Sequence, residues 1–550
     1  MEVRVVEVAA VVVDRRGRPV PDLTVSDFVL EEDGKPVEIR YFSAPRSRAT
    51  SPGETAIDSS AGGTDEQTPT EPGPRRTVAL LLDDRMLGAA GRRRALDGVG
   101  ELAARLATDA RFVIASYRDR LQLLEIAEPN AELDGAALAS ITAAGPMGQA
   151  IARSNELRRT LAAVTASYEA CELMPRCSPC QDNWHELLAQ ARTHAAAEEA
   201  RVELAVARVA EVIATMSGLD GDSWLVYPSE SLPHRPGIEA LFFVGEICAS
   251  PRPDGERELT QEMLQYDASS LLHQLAAWAN ARGVRLFPID AIGLGGASAA
   301  SVDFATSSLR PSLRFDELVR VNRQSGLHLL AQETGGTAIF NSNRPLVDLD
   351  VAVELEGSYV MGFEPAHPAT GHVHALRLEL VSPKGRTVRY RRSYLDRTLE
   401  QRLADQLVSA LYFEPRENPL RLSASIGTVE ATAGDARSFR VPVRVELPPE
   451  SLSLLEASAS AVARATAASG RLRLWLAGQR ADGERTAIRQ ETLEVGAQGL
   501  APVDGRFRVT VEMTLAAGDW ILAIGARDDV SQRISLVRLA VEVPPVPPRP

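Results

Sequence analysis

No stretch of this sequence approaches the run of about 18 consecutive apolar residues that a membrane-spanning helix needs. A membrane span is therefore not expected. An excess of basic residues is also missing: 60 Lys and Arg stand against 74 Asp and Glu, for a net charge of −14 and a pI near 5.3. Nucleic-acid binding draws on clustered Lys and Arg, so that class of partner is excluded. The short basic spots "RRTVAL" and "GRRRAL" do not reverse the balance. The opening residues "MEVRVVEVAAVVV" lack the basic start, leucine-rich core and small-residue cleavage site of a secretory signal. Read literally, they begin a strand. Cysteine is scarce too, with four in all, yet Cys171, Cys177 and Cys180 fall within ten residues of one another and only Cys248 lies apart.

What is present is ordinary globular material. Apolar residues make up 45% and charged residues 24% of 550, enough for about two to four domains with buried cores. Residues 1–42 alternate apolar and polar around the turn signals "DRRGRP" and "EEDGKP", which predicts a small β module. Residues 43–76 collapse into Ser, Thr, Gly, Pro and Glu, predicting a flexible linker. From Thr77 to 364, apolar runs such as "TVALLLD", "RFVIASY", "SWLVYP" and "VRLFPID" alternate with helical periodicity, the pattern of a doubly wound parallel sheet. An Ala-, Leu-, Glu- and Arg-rich segment near 148–217 predicts a helical insertion. The helix "LVRVNRQSGLHLLAQETGG" ends on a glycine pair suited to a left-handed cap. Residues 365–400 read as a β-hairpin around "PKGR", 418–544 as a β-sandwich with an ambiguous Ala-rich run at 454–468, and 545–550 as an extended Pro-rich tail. The fold class expected is multidomain α/β plus β.

Several stretches together resemble one family, the von Willebrand factor A-related proteins of the Acidobacteria type. They are "VVVDRRGRPVPDLTVSDFVLEEDGKPVEIRYF" at the start, then "LLAQETGGTAIFN", "GSYVMGFEP" and "YRRSY" at the end, covering about residues 3–394 in order. The resemblance implies a Rossmann-like A-type sheet with its ligand face at the carboxyl ends of the strands, where open α/β sheets bind ligands. Typical A domains hold a divalent ion there through Asp-x-Ser-x-Ser, a Thr and a further Asp, a compact oxygen set suited to Mg²⁺. This sequence departs from the pattern at each position. The first loop reads Asp83, Asp84, Arg85, Met86, Leu87; the second reads Gly145, Pro146, Met147; the third reads "PSES", with Ser229 in place of the Asp and Glu230 one residue beyond it. A guanidinium beside the pocket opposes a second positive charge, so Arg85 is expected to pair with Asp83 or Asp84 in a degenerate, metal-free site.

Other candidate chemistry is sparse. Cys171, Cys177, Cys180 and His185 carry a C-x-x-C and offer four ligands for zinc; a disulfide closing the turn between two long helices and unpaired thiols are the alternatives. Cys248 reads as a buried small hydrophobe or as the mate of the odd cysteine. "YPSES" is not a nucleophile elbow, and the glycine runs "GLGGAS" and "ETGGT" lack a phosphate-loop context. Among the histidines only His372 and His374 alternate on one strand face, and exposed side chains account for them as well as ligands do. The expectation is a non-enzymatic binding module, without a cofactor, that engages a protein or cell-surface partner. A metal-dependent hydrolase using Asp83, Asp84 and Glu230 is the alternative from another class, and a scaffold of a secreted complex is a third. Family resemblance and the cysteine cluster point to an extracellular or periplasmic location; the strand-like start points to the cytoplasm.

Overall fold

The computed structural model describes residues 5–45, 76–107, 110–144, 149–219, 221–248, 254–295, 312–432, 435–453, 469–496, 500 and 502–544. Most of the linker, the second loop with Met147, the later part of the glycine-rich loop at 293–300, the run 454–468 and the tail 545–550 lie outside them. The chain divides into two compact units, residues 1–213 with 220–396, and residues 214–219 with 397–550.

In the first unit, strands β1 (Val6–Asp14), β2 (Phe28–Glu32), β3 (Lys35–Val37) and β4 (Tyr41–Ser43) come first. The parallel-type sheet follows, with β5 (Arg76–Asp83), β6 (Ala110–Tyr117), β7 (Leu121–Ala127), β8 (Asp222–Ser229) and β9 (Val284–Asp290). Then come β10 (Ser358–Phe363), β11 (Val373–Leu380), β12 (Arg386–Tyr390) and β13 (Ser393–Leu395).

The five-stranded sheet has the order β7-β6-β5-β8-β9, so in chain order its strands run third, second, first, fourth, fifth. β5, β6, β8 and β9 are parallel, whereas β7 pairs antiparallel with β6. An all-parallel sheet was expected; the sheet is mixed because only residues 118–120 join β6 to β7, far too few for the crossover a parallel pair requires. Val78, Leu80 and Leu82 of β5 pack with Phe112, Ile114, Trp224, Val226, Phe287 and Ile289 and with residues of helices Ala89–Leu96 and Val99–Leu106 on one side. The intervening Ala79 and Leu81 are buried as well, so β5 is covered on both faces, as its unbroken apolar run requires.

The helical insertion consists of Gln149–Glu172 and Trp184–Met216. Its Leu161, Val164, Trp184, Leu187 and Leu188 share a core with Leu241, Phe243 and Val244 of the helix Ile238–Cys248 and with Phe315. The predicted left-handed cap is in place: Gly335 closes Leu313–Thr334 at φ 75°, and the N–H of Gly336 donates to Ala331 O at 3.0 Å.

The N-terminal module and the 365–400 hairpin, drawn as separate pieces from the sequence, pair into two common sheets, β12-β1-β10-β4 and β13-β11-β2-β3. β11 and β12 are not hydrogen-bonded to each other. β12 pairs with β1 and β11 with β2 and β13, so their buried faces meet over one core of Val8, Ala10, Phe28, Leu30, Tyr359, Met361, Leu376 and Leu378.

In the second unit, residues 423–543 form two four-stranded antiparallel sheets over a cluster that includes Val441, Val443, Leu472, Leu474, Leu522 and Ile524. The helix Leu399–Ala410 begins with a capping box at Thr398 and Gln401 and buries Leu403 and Leu407 against Trp475 and Ala523.

Candidate ligand face at the carboxyl ends of the parallel strands

β5 delivers Asp83 as its last residue and Asp84 directly after it, and both are 0% exposed. A buried carboxylate must be paired and hydrogen-bonded, or else give up its charge. Asp83 accepts from the Arg85 backbone N–H at 3.0 Å and from Arg208 Nη1, which reaches both its oxygens at 3.1 and 3.2 Å. Arg208 comes from the long insertion helix and is itself buried. Asp84 accepts from Arg118 Nε at 2.7 Å and Ser116 Oγ at 3.3 Å on one oxygen, and faces Arg92 Nε at 3.3 Å on the other. Arg92, 3% exposed, also donates to the carbonyls of Ala144 and Ile141 at 3.0 Å each.

The counter-charge expected at Arg85 is therefore elsewhere. Its guanidinium turns outward, donating to Arg118 O at 3.0 Å and to Asp119 at 2.9 Å. The reason is geometric: Arg85 lies in the turn that leaves the strand, closed by Met86 and Leu87 N–H groups on Asp83 O, and that turn carries its side chain away from the buried pair.

The third loop does meet the first. Glu230 N–H contacts Met86 O at 3.4 Å, and Glu230 Oε1 accepts from Gly88 N–H at 2.9 Å. The carboxylate sits at the start of helix Ala89–Leu96, where a negative charge complements the helix dipole. A Cβ on Gly91 would lie 2.4 Å from Glu230 Oε1, so the glycine leaves the space this carboxylate fills. Ser229 is fully buried and its hydroxyl donates to Ser231 O at 3.0 Å. It does not turn towards the aspartates.

One acid of this face was not singled out from the sequence. Asp290, the last residue of β9, is 1% exposed and accepts from Gln324 Nε2 at 2.6 Å, Arg323 Nη2 at 3.3 Å and the Ile292 N–H at 3.1 Å. Its signal was available, because "VRLFPID" ends on an aspartate just as "TVALLLD" does. The arginines had no such signal. Burial pushes the Asp83 carboxyl above its ordinary value, with Arg208 pulling the other way; burial likewise lowers Arg92, which Asp84 opposes and Arg118 reinforces. The ends of β5 and β9 thus carry three carboxylates clasped by Arg92, Arg118, Arg208 and Arg323. Such a face is short of uncommitted oxygens for a hard cation.

The amino ends of the same strands carry a second network. Asp222, opening β8, pairs with Arg285 at 2.5 Å and Arg76 at 3.3 Å, and accepts from Trp224 Nε1 at 2.6 Å. Burial would raise its pKa, but Arg285 and Arg76 overcome this and hold it at about 2. Arg285 also reaches Glu354, which pairs with Arg389 at 2.7 Å.

The cysteine cluster resolves into two disulfides, Cys171–Cys177 and Cys180–Cys248, with Cα separations of 5.4 and 5.3 Å. No free cysteine remains, so the four-ligand zinc set with His185 is corrected: its thiols are consumed and His185 is exposed. Cys248 ends the helix Ile238–Cys248, and its bond ties that helix to the insertion. Among the described residues no helix is long and apolar enough to cross a membrane.

No family model matches the chain, and no curated protein matches it. Among solved structures, the Northeast Structural Genomics Consortium target SoR45 aligns at 13% identity and a TM-score of 0.16, covering 23% of this chain and 89% of its own. A Bacteroides uniformis β-glucuronidase, solved with a covalently bound cyclophellitol-6-carboxylate aziridine, aligns at 11% identity and a TM-score of 0.15 over 22% of this chain and 13% of its own. Likenesses of this extent leave the chain's own geometry as the ground for any reading of its function.

Proposed function

We propose that the chain is a non-enzymatic protein-binding module built on a von Willebrand factor A-like domain whose ligand face works without a metal ion. The observation that carries the proposal is the set of guanidiniums on the aspartates. A divalent ion needs the oxygens that Arg208, Arg118 and Arg92 already hold, and it would enter beside their charges. The strand order third-second-first-fourth-fifth supports the A-type reading, since it places the switch in strand direction of travel beside β5, where such sheets bind ligands. The hydrolase alternative has little support: Asp83 and Asp84 are committed to ion pairs, Glu230 caps a helix, and among the described residues no nucleophile, base and orienting group meet around them. An extracellular or periplasmic location is part of the proposal, and the two disulfides support it because such bonds persist in oxidising compartments.

Magnesium titration of the full chain by calorimetry, compared between the wild type and Asp83→Asn, tests the metal-free reading. The expected result is no heat assignable to this face, with the two proteins alike. A Mg²⁺ affinity present in the wild type and lost in Asp83→Asn would overturn it. Capture of a stoichiometric partner from native membranes or medium, unchanged by a chelator of Mg²⁺, is the expected companion result.

A further inference from the structure

Within the two-sheet module that β1 to β4 form with β10 to β13, the turn between β2 and β3 is a two-residue Asp-Gly hairpin, with Asp33 at φ 49° and Gly34 at φ 75° pairing Glu32 opposite Lys35. That left-handed turn swings the Asp33 carboxylate across to β11. One of its oxygens accepts the Ala375 N–H at 2.9 Å and the other lies 2.8 Å from His374 Nδ1. His374 is only 14% exposed on its side chain, so the reading of it as an exposed strand residue is corrected. Its ring stacks on His367 at 4.2 Å between centroids and 22° between planes, and on Tyr394 at 5.3 Å. His367 in turn places Nδ1 3.5 Å from the buried Asp396 carboxylate and 3.2 Å from Pro368 O, and Nε2 3.2 Å from Glu32 Oε1. Glu32, on the last position of β2, also accepts from the Tyr394 hydroxyl.

The donor and acceptor roles are strongly constrained. A ring nitrogen 2.8 Å from a carboxylate oxygen must carry the proton, so His374 Nδ1 donates to Asp33. His374 Nε2 is buried and makes no hydrogen bond. Were it protonated, it would be an orphaned donor in an imidazolium stacked on a second imidazole; unprotonated, it presents a free lone pair. On His367 the Nδ1 side likewise faces two acceptors, and Nε2 lies 3.2 Å from Glu32 Oε1, where either a proton on the nitrogen or a bound cation satisfies both atoms. One ligand atom each from Glu32, His367 and His374 lies within 4.8 Å of the other two.

We propose that Glu32, His367 and His374 form a binding site for a divalent transition ion of the zinc class. Two imidazoles and a carboxylate are a donor set that such ions favour. Each histidine has its remote nitrogen directed at a carboxylate, Asp33 for His374 and Asp396 for His367, the outer arrangement that orients metal-ligating imidazoles. Tetrahedral zinc, with bonds of about 2.0 to 2.1 Å, asks its ligands to stand about 3.3 Å apart, so the set closes slightly by side-chain rotation on binding. A fourth position remains for solvent or an external ligand. The ion would fasten the Glu32–Asp33 turn to β11 and to the segment carrying His367, all within the sandwich. The site is independent of the face at the ends of β5 and β9, and the proposed protein-binding role does not require it.

Cobalt titration of the full chain with both disulfides intact, followed by visible absorption and by competition with zinc, tests the site. The expected result is one equivalent of Co²⁺ with ligand-field bands, displaced by Zn²⁺. The bands disappear in His374→Ala and in Glu32→Gln, and persist in His372→Ala and Asp83→Asn. Absence of bands and of zinc binding in the wild type, or their survival in both ligand variants, overturns the proposal. Should a ligand variant fail to fold by circular dichroism, mass-spectrometric mapping of diethyl pyrocarbonate labelling on the wild type decides: zinc must protect His367 and His374, and equal labelling with and without zinc overturns it.

Discussion

At the scale of single residues, the defining event is that Asp83 and Asp84 recruit their cations from distant parts of the chain. Arg118 lies 34 positions from Asp84, and Arg208 lies 125 from Asp83. Adjacency made Arg85 look like the partner, whereas burial decides which guanidinium is useful. Breaking a buried pair from one side leaves an uncompensated charge, so Arg208→Ala should cost about 3 to 5 kcal/mol. Arg85→Ala, which removes contacts at an exposed rim, should cost about 1 kcal/mol or less. Urea unfolding of the two variants checks the ranking, and a reversed order would return Arg85 to the role read from sequence. The pH dependence has a definite sign. Asp83 is raised above its ordinary value of 3.8 even with Arg208 present. A carboxyl raised on folding favours the native state below its unfolded value and loses that contribution as pH rises through the folded one. Removing Arg208 raises it further, so the Arg208→Ala deficit should be small near about pH 4 and grow towards about pH 7. The strand-terminal acids were legible because each follows an apolar run; their partners were not, because a surface arginine and a buried one look alike in a helix of Ala, Glu and Arg.

At the scale of elements, the parallel strands could be read because burial on both faces imposes unbroken apolar runs, and the glycine-pair cap because a left-handed position admits few residues. Strand pairing could not. β1 finds partners in β10 and β12, and β2 finds one in β11, all more than 300 residues later, and nothing in an alternating pattern names its mate. The amino ends of the parallel strands show how such an assembly is held. Asp222 at about 2 is a depressed carboxyl, so its contribution is fully present above the unfolded value near 3.8 and is lost as pH falls through about 2. Asp222→Asn should therefore lower stability by roughly 2 kcal/mol at neutral pH, with the gap to the wild type closing between about pH 4 and pH 2. Parallel unfolding curves at these two pH values test it, and a gap that does not change with pH would mean the aspartate acts only through its shape. Gly336 offers a steric counterpart, since a Cβ there would lie 1.8 Å from Leu286 O on β9. Backbone cannot yield as a side chain tip does, so Gly336→Ala should cost about 2 kcal/mol or more, by separating the end of helix Leu313–Thr334 from the strand beneath it.

At the scale of the molecule, the insertion is the largest departure from a plain α/β sheet, and its two disulfides constrain it over different lengths. Cys171–Cys177 closes a turn across a sequence separation of 6, whose Leu173 and Met174 are exposed, while Cys180–Cys248 has a separation of 68 and encloses the whole of the second insertion helix, all of β8 and the helix that follows it. In the chain-entropy picture the longer closure removes more freedom from the unfolded state, roughly 4 kcal/mol against about 2 for the short one. The long bond also joins two elements of one shared core, Trp184, Leu187 and Leu188 on one side and Leu241, Phe243 and Val244 on the other. Paired serine substitutions should separate the two bonds: Cys180→Ser with Cys248→Ser is expected to lower stability by about twice as much as Cys171→Ser with Cys177→Ser. The short bond should instead govern local protection, because its loss frees an exposed turn without releasing the helices. Limited proteolysis therefore has the opposite ranking to unfolding, with cutting near Leu173 and Met174 accelerated in the Cys171 and Cys177 pair. If both pairs behaved alike in both measurements, loop length would not be what sets the worth of these bonds.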